Sequence, residues 1–277
     1  MSIIVIDRQV VHYEVLGKGR PVLFLHGWLG SWRYWFPTME RMSEHFRTYS
    51  FDFLGFGESR RKTATESIQV YSDQVIRFLD ELGIERVMLV GHSMGGMVAL
   101  KTAINYPRRI TRVASVGAPI VGTSLSWLLK LTDQPMIASA FARMPSFRRF
   151  MFRQFLGVKD DPAIGEILDD SVKSSSTTLW RAVASMMRTD LRPELPRLSV
   201  PALVVHGGRD NIVAPNQADL FDNVPLSEVV VMPESHHFPF LEEADLFNEV
   251  LLRFLKQEHQ RGTPQRTNLA QPSPVSS

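Results

Sequence analysis

The segment Arg86-Val-Met-Leu-Val-Gly-His-Ser-Met-Gly-Gly96 carries the fold in miniature: an apolar run halts at Gly91, and from Met94 a second apolar segment continues to Tyr106 before Pro107 stops it. Strand, sharp turn and helix are therefore expected in immediate succession. Within it, Gly91-His92-Ser93-Met94-Gly95 matches G-x-S-x-G in the strand-to-helix setting that the motif requires. Reversing direction so abruptly strains the serine backbone, and only glycine-sized neighbours leave room for the helix to pass beside the strand. The helix start brings a positive dipole end and unbonded N–H groups to the serine oxygen, which makes the Met94 N–H the expected first oxyanion donor. A plainer reading makes Ser93 a helix cap only, since serine is a favoured N-cap.

Outward from this turn the pattern repeats. Val10 to Val15, Pro21 to His26, Thr48 to Phe53, Ile110 to Val116, Pro201 to His206 and Ser227 to Met232 read as strands. Ser67 to Leu82 has helical spacing closed by Gly83, and Glu243 to Lys256 is a second helix. Strands alternating with helices predict an α/β fold with a mainly parallel sheet covered on both faces. Between 119 and 196 the alternation lapses into Trp-, Phe-, Met- and Arg-rich helical stretches, read as a helical cap inserted between core segments 1–118 and 197–259. Residues 260–277, rich in Gln, Pro, Ser and Thr, are expected to be a disordered tail.

The bulk numbers exclude several classes of function. In 277 residues, 44% hydrophobic and 22% charged, there is apolar material for a sizeable core, which rules out wholesale disorder. Lys and Arg number 31 against 29 Asp and Glu, for a formal charge of +2, and outside 119–196 the basic residues are scattered, so no nucleic-acid partner is expected. The absence of cysteine removes disulfides, thiolate chemistry and Cys-based zinc sites. The apolar run Ile3 to Ile6 is too short for a secretory or transmembrane segment, and a cytoplasmic location is expected.

A serine hydroxyl needs a base, and the base needs an orienting group. Candidates lie at strand ends after Ser93, because chemistry on open α/β sheets collects beyond the strands' carboxyl ends. His206, inside its strand, reads as a structural histidine bonded to backbone. Of His236 and His237, which follow the 227–232 strand, His237 opens the turn into the last helix and is taken as the base, with His236 a loop residue. Asp210 follows a strand and the flexible Gly207-Gly208, so it is taken as the orienting acid, whereas Asp219 and Asp222 read as solvated. The Trp28 N–H, in the loop after His26, is the second expected oxyanion donor, and the His26 ring is read as tying that loop down.

Together these residues resemble the α/β-hydrolase superfamily, from about Val10 to Lys256: His26-Gly-Trp28, Asp52-Phe-Leu-Gly55-Phe-Gly57-Glu-Ser59, Gly91-His-Ser-Met-Gly-Gly96, Gly208-Arg-Asp210 and His237-Phe-Pro239 in that order. The resemblance implies an eight-stranded, mostly parallel sheet, a cap after the sixth strand, and Ser93, Asp210 and His237 as catalytic residues. The 26–35 loop looks like that of capped esterases, epoxide hydrolases and haloalkane dehalogenases. The last two attack with a carboxylate, so serine favours an ester or related acyl substrate. Asp52 to Ser59 is, by the same resemblance, a structural loop and no metal site.

The expected reaction is acyl transfer through an acyl-enzyme, with a small-molecule acyl substrate and no cofactor. Trp127, Leu128, Leu131, Phe141, Phe147 and Trp180 are expected to line an apolar acyl pocket, although packing of the cap on the core explains the same residues. Arg143, Arg148, Arg149 and Arg153 are either solvated or meet an anionic substrate or a membrane surface. Meta-cleavage carbon–carbon hydrolysis, cofactor-free haloperoxidase or perhydrolase chemistry, and a non-catalytic receptor on the same fold stay open. Oligomeric state is unread.

Overall fold

The computed structural model describes residues 2–59, 66–131, 133–134, 136–137, 143–144, 146, 169–170, 173–257 and 265–268. Its strands are β1 (Ser2–Ile6), β2 (Gln9–Leu16), β3 (Pro21–Leu25), β4 (Arg47–Phe51), β5 (Val87–His92), β6 (Ile110–Val116), β7 (Ala202–Gly207), β8 (Ser227–Met232) and β9 (Gln265–Asn268), in one sheet of order β1-β2-β4-β3-β5-β6-β7-β8-β9. β2 runs antiparallel to β1 and β4, and every later pairing is parallel. Every residue of β5 and β7 is buried, as continuous apolar runs covered on both faces must be. The expected eight-stranded, mostly parallel sheet is thus present as β1 to β8.

Two strands depart from the sequence reading. The sequence reads β1 only as a short apolar run, because its alternating positions are apolar on both faces: Ile3 and Val5 face solvent while Ile4 and Ile6 turn inward. It pairs with β2 through a turn at Asp7 and Arg8, both with positive φ (51° and 62°), where glycine or asparagine is the ordinary signal. β9 lies inside the stretch expected as a tail; Gln-Arg-Thr-Asn has no apolar pattern, and pairing with the free edge of β8 needs none.

The helices that position the site are α1 (Phe36–Ser43), α2 (Ile68–Glu81), α3 (Met94–Asn105), α4 (Trp127–Leu131), α5 (Ser176–Arg188), α6 (Pro239–Glu242) and α7 (Ala244–Lys256). α2 starts where the Ser67 hydroxyl accepts the Val70 N–H (3.1 Å), and α5 starts in the same way at Ser175 and Thr178 (3.1 Å). α2 packs on α3, and α1 on α7, which covers the sheet with two separate layers. Trp35, from the short helical turn before α1, stacks on Phe240 of α6 at 4.2 Å, both fully buried. Each such side chain contributes about 1.5–3 kcal/mol on burial.

The ends of the segment read as an insertion meet each other. The Gly122 N–H donates to Thr189 O (2.8 Å) and the Leu191 N–H to Ile120 O (2.9 Å), with Val121 bridging Asp190. The stretches 120–122 and 189–191 are therefore held side by side. α5 turns Leu179, Ala182, Val183 and Met186 inward and is tied down at several points. Trp28 Nε1–H donates to Leu179 O (3.1 Å), the Ile68 N–H to Ser185 Oγ (3.0 Å), and Thr178 Oγ1 to Glu66 Oε1 (3.2 Å). Among the described residues no helix is long and apolar enough to cross a membrane.

Candidate active site

Ser93 sits between β5 and α3 with φ 53° and ψ −117°, a left-handed conformation that costs a non-glycine residue of the order of 1–3 kcal/mol. The surroundings impose it. The Ser93 N–H donates to Val116 O on β6 (2.8 Å), while the Gly96 and Met97 N–H groups already bond to Ser93 O at the helix start (2.9 and 3.1 Å). The neighbours must be glycine: a Cβ at Gly91 would strike the Gly95 carbonyl and come within 2.8 Å of Gly96 N, and one at Gly96 would reach Ala118 Cβ at 2.7 Å. Ser93 makes no side-chain cap bond to α3, so the cap-only reading finds no hydrogen bond to support it. Met94 is the first residue of α3, so its N–H has no intrahelical acceptor.

β7 and β8 deliver the other two side chains. Just beyond β7, Asp210 Oδ1 accepts the N–H groups of Ile212 (2.8 Å) and Val213 (2.9 Å), leaving Oδ2 for His237 Nδ1–H at 2.8 Å. Burial alone would raise the Asp210 carboxyl, but the His237 ring and those two N–H groups hold it below the ordinary aspartate value. His237 is buried beside β6: a Cβ on Gly117 would lie 3.3 Å from its Nδ1 and 3.4 Å from its Cε1. Since Ser93 is bonded to the adjacent Val116, the imidazole and the serine flank the same strand end. No hydrogen bond joins the Ser93 hydroxyl to the ring among the described residues; such bonds are often long before substrate arrives.

The loop after β3 closes the third side. A Cβ on Gly27 would lie 3.1 Å from both Ser93 Cβ and His92 Nδ1, so the peptide leading into Trp28 runs beside the serine. His26 ties this loop down: its Nδ1 donates to Gly27 O (2.8 Å) and its Nε2 accepts the Phe53 N–H (2.9 Å). The Trp32 N–H donates to Asp52 Oδ1 and the Glu58 N–H to Oδ2, both at 2.8 Å, which gives Asp52 a purely structural task. Among the described residues no cluster of His, Asp and Glu fits a metal ion.

Other sequence expectations are corrected. His206 is fully buried, but among the described residues neither ring nitrogen has a hydrogen-bond partner, so the backbone bonds expected for it are not found there; burial pushes it down to about 4. His236 turns outward to Glu242 Oε2 (2.9 Å). Trp127 and Leu131, on α4, are 72% and 42% exposed. Trp180 is half-buried, with its indole N–H on Asp133 O (2.6 Å). Phe141, Phe147 and the side chain of Leu128 lie outside the described residues.

Sequence reasoning missed four contributors. Asp170, buried, is bonded to the Ser31 hydroxyl, to Arg33 Nη1 (2.7 Å) and to Lys173 Nζ (2.6 Å), joining the loop after β3 to the chain around residue 170. Glu242 shapes the histidine turn, and Tyr34 with His92 lies beneath it. No local pattern marks a contact between residues so far apart in sequence.

A serine held in a left-handed turn at the end of a central parallel strand, flanked by an imidazole–carboxylate pair from the next strand ends, is the layout of a hydrolase on an α/β sheet. The chain belongs to the alpha/beta hydrolase fold family, matching it over residues 20–244. It is 28% identical over 258 residues to the pimeloyl-[acyl-carrier protein] methyl ester esterase of Vibrio cholerae, covering 89% of this chain and 98% of that one. An esterase from Exiguobacterium antarcticum has a similar structure, with TM-score 0.81, 25% identity and coverage of 92% and 98%. The fold is likewise that of a meta-cleavage product hydrolase from Pseudomonas fluorescens, with TM-score 0.78, 22% identity and coverage of 92% and 97%.

Proposed function

We propose that this hydrolase cleaves a carboxylic ester through a Ser93 acyl-enzyme, with His237 as base and Asp210 as the orienting acid. The observation that carries the reading is the buried His237 Nδ1–Asp210 Oδ2 hydrogen bond of 2.8 Å at the sheet edge where Ser93 is held in its strained turn. That bond commits the proton to Nδ1 and leaves Nε2 as the free base. Nε2 takes the Ser93 proton as Oγ attacks the acyl carbonyl, and the N–H groups of Met94 and Trp28 receive the oxyanion. The imidazolium, steadied by Asp210, then protonates the leaving alcohol and afterwards activates water to release the acid. No step needs a cofactor.

The name of the Vibrio cholerae relative, a methyl ester esterase, supports an ester substrate over a carbon–carbon bond. The inserted segment, whose ends pair at Val121 and Asp190 and whose α5 packs beside the Trp28 loop, acts as a cap over the site. The test is covalent labelling by an organophosphonate probe, expected in the wild type and lost in Ser93→Ala. Undiminished labelling of the variant would end the assignment. Faster turnover of a vinylogous diketone than of any simple ester would move the substrate to the carbon–carbon class.

A further inference from the structure

Two buried rings join the three loops of the proposed site. The Gly27 N–H donates to Tyr34 Oη, the Tyr34 hydroxyl lies 3.2 Å from His92 Nδ1, and His92 Nε2 lies 2.9 Å from the carbonyl oxygen of His237. The polarity of every link is forced. An amide N–H only donates, so the Tyr34 oxygen accepts from Gly27; a carbonyl only accepts, so His92 Nε2 carries hydrogen, and in the neutral ring Nδ1 is then bare and takes the Tyr34 O–H. That is the neutral imidazole, and burial, aided by the neighbouring His237 ring, holds His92 well below the ordinary histidine value. The rings are also clamped. His92 lies 4.7 Å from the Phe238 ring and 5.0 Å from Phe240, and Tyr34 5.3 Å from Phe240.

We propose that Tyr34 and His92 are positioning residues: a hydrogen-bonded strut that fixes the spacing between the oxyanion-binding loop at Gly27–Trp28 and the main chain of His237. The inference rests on the assignment of Ser93, His237 and Asp210 made above. An imidazole held only through Nδ1 can still swing about that one bond. Asp210 anchors the ring and His92 anchors the backbone, so base and oxyanion donors keep one geometry while the substrate changes shape. Neither strut residue touches the reacting atoms, and neither changes charge near neutral pH; what the strut supplies is position.

The experiment compares Tyr34→Phe, His92→Phe, the double variant and His92→Gln by steady-state kinetics on a p-nitrophenyl ester across pH, with thermal melts alongside. Tyr106→Phe, which removes a phenol bonded to Asp73 (3.0 Å) away from the site, is the control with unchanged kcat. Folded single variants should lose about 10- to 100-fold in kcat with KM unchanged, the size expected for misplacement of a catalytic group by about 1 Å. The base pKa in kcat/KM should shift, and His92→Gln, whose amide still donates to the His237 carbonyl, should recover part of the loss. The double variant should lose no more than the worse single one, since a strut already cut transmits nothing. Wild-type kcat and pH profile in folded Tyr34→Phe and His92→Gln would overturn the strut, as would fully additive losses. Activity retained in Ser93→Ala would overturn the underlying assignment instead, so the two failures are distinct.

Discussion

Replacing His206 with leucine should make the protein markedly less sensitive to acid. The wild-type ring is fully buried at the end of β7, with neither nitrogen hydrogen-bonded among the described residues, and its pKa is pushed down to about 4 by burial. In the unfolded chain the same imidazole titrates near 6.5 (about the model-peptide value). Between those values the unfolded state binds a proton that the folded state refuses, so stability falls as pH drops from about 6.5 to about 4, and the loss is complete below that window. The full difference, about 2.5 units at 1.36 kcal/mol each, is roughly 3 kcal/mol, of which about 2 kcal/mol has gone by pH 5 and almost none at pH 7. Leucine has a similar volume and no proton to gain.

The measurement is urea unfolding of both proteins at pH 7 and pH 5. The stability of the variant relative to wild type should rise by about 2 kcal/mol on going to pH 5. Acid-sensitive groups common to both, His92 among them, cancel in the comparison. At pH 7 the variant should be no less stable, because removing an unpaired buried polar group relieves a penalty of about 1–3 kcal/mol. A gap that stays constant between the two pH values would refute the reasoning, and would mean that His206 is hydrogen-bonded as its sequence context had implied.

Two further outcomes follow from the site and its ties. Asp210→Asn keeps the volume but lets the amide donate where Nδ1–H must be accepted, so kcat should fall by about 10⁴ with little change in Tm, measured on a p-nitrophenyl ester. Asp170→Asn removes the buried charge that holds Ser31, Arg33 and Lys173 together. It should cost about 2 kcal/mol by urea unfolding, less than the ~3–5 of a fully buried pair because Lys173 is reached by solvent.

The parts of the molecule that could be read from sequence share a physical cause: local sterics or an uninterrupted burial pattern fixed them. Pro21 to Leu25, Val87 to Val90 and Ala202 to Val205 are central strands because an all-apolar run of that length has nowhere to go but a sheet covered twice. The Ser93 turn was legible because only glycine fits at 91, 95 and 96. Asp210 and His237 could be chosen because each follows a strand that ends at the same edge. What stayed hidden depends on contacts between distant segments. Asp170 is separated from Ser31 by 139 positions and His92 from the His237 carbonyl by 145, and no periodicity encodes either. For the expected pocket residues, helical spacing marks apolar positions on α4 but not which surface receives them, and α4 leaves Trp127 and Leu131 exposed.

The two adjacent histidines are held apart by a single carboxylate. Glu242, at the end of α6, accepts the His236 N–H at Oε2 (2.7 Å) and the Phe238 N–H at Oε1 (2.9 Å), while Oε2 also meets His236 Nδ1 (2.9 Å). The backbone is gripped on both sides of residue 237. His236 is held toward Glu242 while its neighbour His237 turns inward to Asp210 (2.8 Å). Glu242→Gln replaces one acceptor with an amine that cannot face an N–H donor, and the turn must open on that side. The expected result is a folded enzyme with kcat lowered by about 10- to 100-fold and KM unchanged, because the base is displaced and the acyl site is not. Full kcat in Glu242→Gln would show that Asp210 alone orients the ring, and the grip on the turn would then have no part in the chemistry.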